Sequence, residues 1–157
     1  MRELRLSIRQ ARPADAPRLH ELHTSSVRTL CSGHYACDVI DGWLLNRRPA
    51  GYLPPIERGD IFVVEHSADI VGFGEAARGV IIAVYVDPGS VKIGVGSAIM
   101  RHALAVARRG HDGPIRLEST LNAAPFYARF GFRELTRSSV ARGPVAVPVI
   151  VMERHDI

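Results

Sequence analysis

A short glycine-containing segment carries residues that could bind an anion. It reads VDPGSVKIGVGSAIM, from Val86 to Met100, and places Gly94 and Gly96 between an apolar run typical of a strand and a run with helical spacing. The first turn of a helix has backbone N–H groups without partners, and these groups attract phosphate. Glycine has no side chain, so it allows an anion to approach the backbone closely. The segment therefore predicts a phosphate-binding loop, with the alternative that its glycines serve only the turn.

Two common phosphate-binding motifs are excluded by the residues that follow. A Walker loop needs Lys and then Ser or Thr after its last glycine, whereas Val95 and Gly96 follow Gly94. The dinucleotide-binding fingerprint needs a third glycine at the position of Ile99. A different phosphate-containing ligand is expected, with Ser97 as an additional hydroxyl donor.

A second segment, LESTLNAAPFYARFGF from Leu117 to Phe132, leads from a short strand into a short helix. Asn122 is a favourable residue for capping that helix, and Pro125 falls in its first turn, where a missing N–H is tolerated. The alternative is that Asn122 only caps the helix, while Phe126 and Tyr127 are only core aromatics.

The two segments together resemble the signatures of the GNAT superfamily of acetyl-CoA-dependent N-acetyltransferases. The first signature is matched in the family's spacing by Val86, Pro88, Gly94 and Gly96. The second, Asn-Ala-x-x-Phe-Tyr followed by Gly-Phe, is matched by Asn122, Ala123, Phe126, Tyr127, Gly131 and Phe132. The resemblance implies a GNAT fold in one domain over residues 1–157. It also implies direct transfer of the acetyl group from acetyl-CoA to a primary amine of a small molecule, protein or peptide.

The resemblance implies where acetyl-CoA would bind. Its pyrophosphate is expected on the backbone of a loop formed by Val91, Lys92, Ile93, Gly94, Val95, Gly96 and Ser97. Its pantetheine is expected to pair with the strand at Val84 and Val86, with Asn122 and Phe126 on the other side. No metal is implied.

One position departs from the family pattern. Val91 stands where the family carries Arg or Gln, so only a backbone N–H is expected to contact the pyrophosphate there. Lys92 either supplies charge from a different direction or faces solvent. This departure supports an alternative function, a non-catalytic module that binds acetyl-CoA or CoA.

The resemblance also suggests catalytic residues. Tyr127 matches the family tyrosine that protonates or hydrogen-bonds the leaving sulfur. An amine is mostly protonated at pH 7, so a base must accept a proton. Glu118 resembles the base of the subgroup that acetylates protein N-termini, although its distance to the asparagine is one residue shorter here. Glu75, on the neighbouring strand, is the second candidate, and either carboxylate could instead be an ordinary surface or ion-paired acid.

The acceptor site is predicted only in outline. In the GNAT fold the N-terminal helices and the last hairpin build most of it, so His34 and Tyr35 are candidate acceptor contacts. His34 could equally be a solvated loop residue, and Trp43 a core residue. The C-terminal segment GPVAVPVIVMER resembles the ending of small bacterial members of the family and does not identify the acceptor.

These segments must be positioned by a mixed α/β fold. The apolar patterns predict the order β α α β β β α β α β β, which gives a mixed sheet of six or seven strands flanked by helices. Within this order, a second helix is expected at 38–46, a loop rich in Pro and Gly at 49–59, and a helix at 122–129. A chain of 157 residues with 46% hydrophobic residues is sufficient for one sizeable core.

Composition limits the classes of partner. The formal net charge is +4, but the basic residues are scattered and no nucleic-acid-binding motif is present, so no nucleic acid is expected. Without an apolar segment of signal-peptide or membrane length, no membrane partner and a cytoplasmic location are expected. Cys31 and Cys37 are too few for a disulfide framework or a zinc site. A homodimer is left open.

Overall fold

The computed structural model describes residues 5–155, so residues 1–4 and 156–157 of the predicted domain lie outside the described residues. The strands are β1 (Leu6–Gln10), β2 (Ile61–His66), β3 (Asp69–Ala77), β4 (Val80–Val86), β5 (Ile115–Ser119), β6 (Arg133–Arg142) and β7 (Val145–Arg154). The helices are α1 (Ala16–Leu30), α2 (Cys37–Leu44), α3 (Leu53–Arg58), α4 (Val95–Arg108) and α5 (Ala124–Ala128). Short 3-10 helices occupy Pro13–Asp15, Pro49–Tyr52 and Pro88–Ser90.

The strands form one seven-stranded sheet in the order β1-β2-β3-β4-β5-β7-β6. Neighbouring strands are antiparallel except β4 and β5, which are parallel. The predicted mixed sheet of six or seven strands flanked by helices is therefore confirmed. The parallel pairing is short, because only Val80 with Arg116 and Ile81 with Leu117 are partners. Beyond Ile81 the two strands separate and leave a gap in the middle of the sheet.

Helix α4 packs closely on the sheet beside that gap. Its apolar face repeats at helical spacing, and Val95 and Ile99 are fully buried. Beneath them β3 carries glycine: a Cβ at Gly72 would lie 2.6 Å from Val95 Cγ1, and one at Gly74 2.8 Å from Ile99 Cγ2. Because glycine allows this close approach, the first turn of α4 is held next to the end of β4.

The prediction of a loop at 49–59 is wrong. The structure has a 3-10 helix at Pro49–Tyr52 and then α3 in this segment. Proline is tolerated in the first turn of a helix, where its missing N–H has no partner to lose, so the prolines here start helices. Gly59 ends α3 with a φ of +80°.

Two further features bear on the sequence-based expectations. Cys31 is buried and Cys37 is exposed, and both are free thiols. Across residues 5–155, no helix is long and apolar enough to cross a membrane.

Candidate active site

A cavity of about 490 Å³ lies where β4 and β5 separate, and we call it the central cavity. Its walls come from α1 and the segment after it, β4, the start of α4, the segment after β5, and α5. The structure brings eleven of the predicted site residues to this cavity: His34, Val84, Val86, Val91, Gly94, Gly96, Ser97, Glu118, Asn122, Phe126 and Tyr127. Residues from three stretches distant in sequence therefore converge on one space.

Five predicted site residues do not line the central cavity: Lys92, Ile93, Val95, Tyr35 and Glu75. Lys92 is exposed at the surface of the loop, whereas Val95, the first residue of α4, is fully buried against β3. Glu75 lies on β3, where burial and the nearby carboxylate of Asp60 raise its pKa.

The start of α4 is an open anion site. Gly94 is the N-cap residue with a φ of +84°, a left-handed conformation that favours glycine. Within the described part of the chain, no side chain caps the helix and no atom lies within 4 Å of the position that a Cβ of Gly94 would take. The N–H groups of the first turn are therefore accessible to an anion. At Gly96 a Cβ would lie 3.1 Å from Phe126 Cζ, so the space between this glycine and the Phe126 ring is narrow.

The edge of β4 offers backbone groups to the gap. Asp87 N donates to Val71 O of β3 at 2.9 Å. Successive residues of an antiparallel strand alternate in the neighbour they face, so the N–H and C=O groups of Val86 and Val84 face away from β3. On that side β5 pairs no further than Ile81. A ligand in the gap can therefore pair with Val84 and Val86 as an added strand.

Asn122 does not cap α5 as predicted, because the helix begins at Ala124 with Ala123 in the N-cap position. Its side chain instead reaches the central cavity beside the thiol of Cys31. Burial raises the pKa of that thiol to about 11, and a hydrogen bond from Asn122 acts in the opposite direction. The amide Oδ1 of Asn122 is buried and has no hydrogen-bond partner among the described residues. A buried acceptor without a partner is costly, and a ligand N–H would satisfy it.

Tyr127 is the buried phenol of the site. Its side chain is 7% exposed, and burial together with the nearby Tyr85 raises its pKa well above the usual range. The phenol therefore stays protonated at neutral pH and can act as a hydrogen-bond donor. Its ring packs edge-on against Phe126, at 5.3 Å between centroids, and against Phe132, at 6.3 Å.

Tyr35 is a positioning residue in this geometry. Its hydroxyl donates to Pro148 O at 2.6 Å and accepts from Leu121 N at 3.0 Å. These bonds fix the segment immediately before Asn122 to β7. Tyr35 thereby acts through the backbone rather than by lining the central cavity.

Sequence reasoning missed Tyr85, which lines the central cavity between Val84 and Val86 along β4. Its ring stacks on the buried His23, with centroids 3.8 Å apart, and burial raises its pKa to about 12. One aromatic residue in an otherwise aliphatic strand was the available signal, but the face it occupies depends on the fold.

Comparison with known proteins agrees with this geometry. The family model described as an acetyltransferase (GNAT) domain matches residues 57–134, which include the glycine-containing loop at 91–97, Asn122 and Tyr127. The chain belongs to the GNAT family. As a GNAT protein it is an acyltransferase, and the family resemblance of the two sequence segments is confirmed.

Individual relatives of this GNAT chain are distant in sequence. It is 23% identical to the uncharacterized N-acetyltransferase YafP of Escherichia coli (strain K12) over 135 residues, which is 86% of each chain. A solved GCN5-related N-acetyltransferase from Rhodopseudomonas palustris has a TM-score of 0.90 at 20% identity, with 99% of each chain covered. The PaiA N-acetyltransferase of Thermoplasma acidophilum, solved with coenzyme A, has a TM-score of 0.77 at 19% identity, with 98% of this chain and 100% of that one covered. The solved structures establish that the chain has the GNAT fold.

Proposed function

We propose that this GNAT protein transfers the acetyl group of acetyl-CoA directly to a primary amine, and that residues 1–157 act as one catalytic domain. The observation that carries the proposal is the convergence of four features on the central cavity. These are the uncapped start of α4, the unpaired edge of β4, the orphaned Asn122 oxygen and the buried Tyr127 phenol.

In this proposal acetyl-CoA contacts three parts of the central cavity: the loop at 91–97, the edge of β4 opposite Asn122, and Phe126. Backbone N–H groups of residues 91–97, with Ser97 and the nearby Lys92, hold the pyrophosphate. The edge of β4 pairs with the pantetheine, and the Asn122 oxygen accepts from one of its amide N–H groups. Phe126 closes the cavity beside Gly96.

Bound acetyl-CoA supplies a thioester. The lone pair of a neutral amine forms a C–N bond to the carbonyl carbon of that thioester. The C–S bond breaks, and the sulfur leaves with the bonding electrons. Backbone N–H groups on the gap side of β4 donate to the carbonyl oxygen as negative charge develops there. Tyr127 donates a hydrogen bond to the departing sulfur, and the thiolate then takes its proton from solvent, because burial makes the phenol a weaker acid than usual. Glu118 accepts the amine proton, directly or through water, because it lines the central cavity and Glu75 does not.

A second candidate function, a non-catalytic module that binds acetyl-CoA or CoA, is favoured by one observation. Val91 is 44% exposed and carries no charge at the position where the family has Arg or Gln. Both functions require the same binding site, so only turnover separates them.

We expect amine-dependent release of free thiol from acetyl-CoA, at least tenfold above the rate without amine, for at least one compound class. The panel contains polyamines, aminoglycosides, amino acids and peptides with free N-termini, each also incubated without protein. Mass spectrometry of the amine must show the acetylated product. Acetyl-CoA binding without release above background for any amine would favour the binding module.

A further inference from the structure

A second cavity, of about 390 Å³, lies between α2 and the strands β4, β5, β6 and β7, and we call it the lateral cavity. Four residues line both cavities: Ile82, Tyr85, Glu118 and Thr120. The two spaces therefore meet at the gap between β4 and β5. The size of the lateral cavity is sufficient for a small molecule.

The middle of the lateral cavity is apolar. Its walls include Trp43 of α2 and the β7 side chains Val147, Val149 and Val151, of which Trp43 is 4% exposed. These side chains share one face of β7, because alternate residues of a strand point to the same side. The indole N–H of Trp43 is buried, and no residue in the range 5–155 accepts a hydrogen bond from it.

Charge in the lateral cavity is mostly positive. Glu118 is the carboxylate among its described lining residues, and Arg116 and Arg142 are the cations. Arg116 Nε already pairs with Glu153 at 3.2 Å. Arg142 donates to the carbonyl of the adjacent Ala141, and within residues 5–155 it forms no ion pair. The pKa of the nearby His23 is lowered mainly by its burial, with smaller contributions from the charges of Arg47, His20 and Arg142.

Glu118 and Arg142, which form no ion pair with another described residue, lie at opposite ends of the apolar wall. Glu118 is the partner of Val151 in the β5–β7 ladder, and Arg142 is the partner of Val145 in the β6–β7 ladder. The β7 residues opposite them are thus six positions apart, or about 20 Å of strand at about 3.3 Å per residue. The side chains of Glu118 and Arg142 span part of this distance. A ligand that contacts both charged groups must therefore be elongated.

We propose that the lateral cavity binds the acceptor and that this acceptor has a primary amine and a carboxylate at opposite ends of an apolar body. The proposal rests on the proposed function for the transfer step. The amine lies at the junction with the central cavity beside Glu118, the apolar body lies against Trp43 and the valines, and the carboxylate pairs with Arg142. A polyamine or aminoglycoside is disfavoured, because its further positive charges would approach two arginines.

Three amines of equal chain length test the proposal: 8-aminooctanoic acid, octylamine and 1,8-diaminooctane. We expect kcat/KM in the thiol-release assay to be at least fivefold higher for 8-aminooctanoic acid than for octylamine, and lowest for the diamine. Arg142→Gln should remove the advantage of the acid and leave octylamine unchanged within twofold. Arg137→Gln is the matched control, because Arg137 is exposed on the same strand, pairs with Glu134 and does not line the lateral cavity.

A binding measurement separates this proposal from the proposed function. Ligand-observed NMR without acetyl-CoA should show that 8-aminooctanoic acid binds wild type more tightly than octylamine does, and that Arg142→Gln abolishes the difference. That binding without turnover would support the lateral site and count against the transferase function. Octylamine or the diamine performing as well as the acid, or an acid preference that persists in Arg142→Gln, would overturn the acceptor proposal.

Discussion

Gly96→Val is expected to lower the affinity for acetyl-CoA at least 100-fold while the protein stays folded. A Cβ at this position would lie 3.1 and 3.2 Å from ring atoms of Phe126 and 3.8 Å from Val86 Cγ2. The two further methyl groups of valine would fill the space between the first turn of α4 and the cavity wall, where the pyrophosphate must approach the backbone. A 100-fold loss corresponds to about 2.7 kcal/mol of binding free energy. Calorimetric titration of acetyl-CoA into the wild-type and Gly96→Val proteins measures the two affinities.

Gly51→Val is the matched control for this substitution. Gly51 is exposed, a Cβ there meets nothing within 4 Å, and it does not line the central cavity. We expect wild-type affinity for the control and near-wild-type circular dichroism for both variants. Unchanged binding by folded Gly96→Val would mean that the start of α4 holds no phosphate.

Tyr127→Phe is expected to lower kcat about ten- to hundredfold and to leave the KM for acetyl-CoA nearly unchanged. The variant keeps the ring that packs against Phe126 and Phe132 and removes only the hydroxyl. A hydrogen bond to a charged group contributes about 1.5–3 kcal/mol, and the sulfur carries negative charge only as it leaves. Steady-state kinetics with the best amine of the panel measures both constants.

Tyr52→Phe is the control for loss of a buried hydroxyl. Tyr52 bonds to His23 Nδ1 at 2.7 Å and does not line the central cavity, so its loss should reduce stability and spare kcat. If Tyr127→Phe turns over at the wild-type rate, Tyr127 has no part in the chemistry. A rise in KM at constant kcat would assign it to binding instead.

The site could be predicted from sequence where the chemistry depends on local backbone geometry. Gly94 and Gly96 follow a strand and open a helix, so their effect on an anion can be inferred from a few neighbouring residues. Asn122 and Tyr127 were identified because they match a family motif, although the predicted capping role of Asn122 was wrong. Asn122 lines the central cavity, and α5 begins two residues later than expected.

The remaining features depend on contacts between distant strands. The gap exists because the β4–β5 pairing stops at Ile81, and no local pattern encodes where a parallel pair separates. The β6–β7 ladder brings Arg142 to the lateral cavity, and Tyr35 binds backbone across 113 residues of sequence. The prolines at 49–55 do not distinguish a loop from a helix start, because proline is compatible with both.

Acetyl-CoA binding in the gap between β4 and β5 is the claim on which the predictions about cofactor affinity and turnover depend. The most direct measurement is the thermal unfolding midpoint of the wild-type chain with and without acetyl-CoA, with duplex DNA at two salt concentrations as the comparison. At 100 times Kd, a ligand stabilises the native state by about 2.7 kcal/mol, which raises the midpoint of a chain of this size by roughly 5–10 °C. We predict that rise for acetyl-CoA and none for DNA. A midpoint unmoved by saturating acetyl-CoA, or raised only by DNA at low salt, would contradict it.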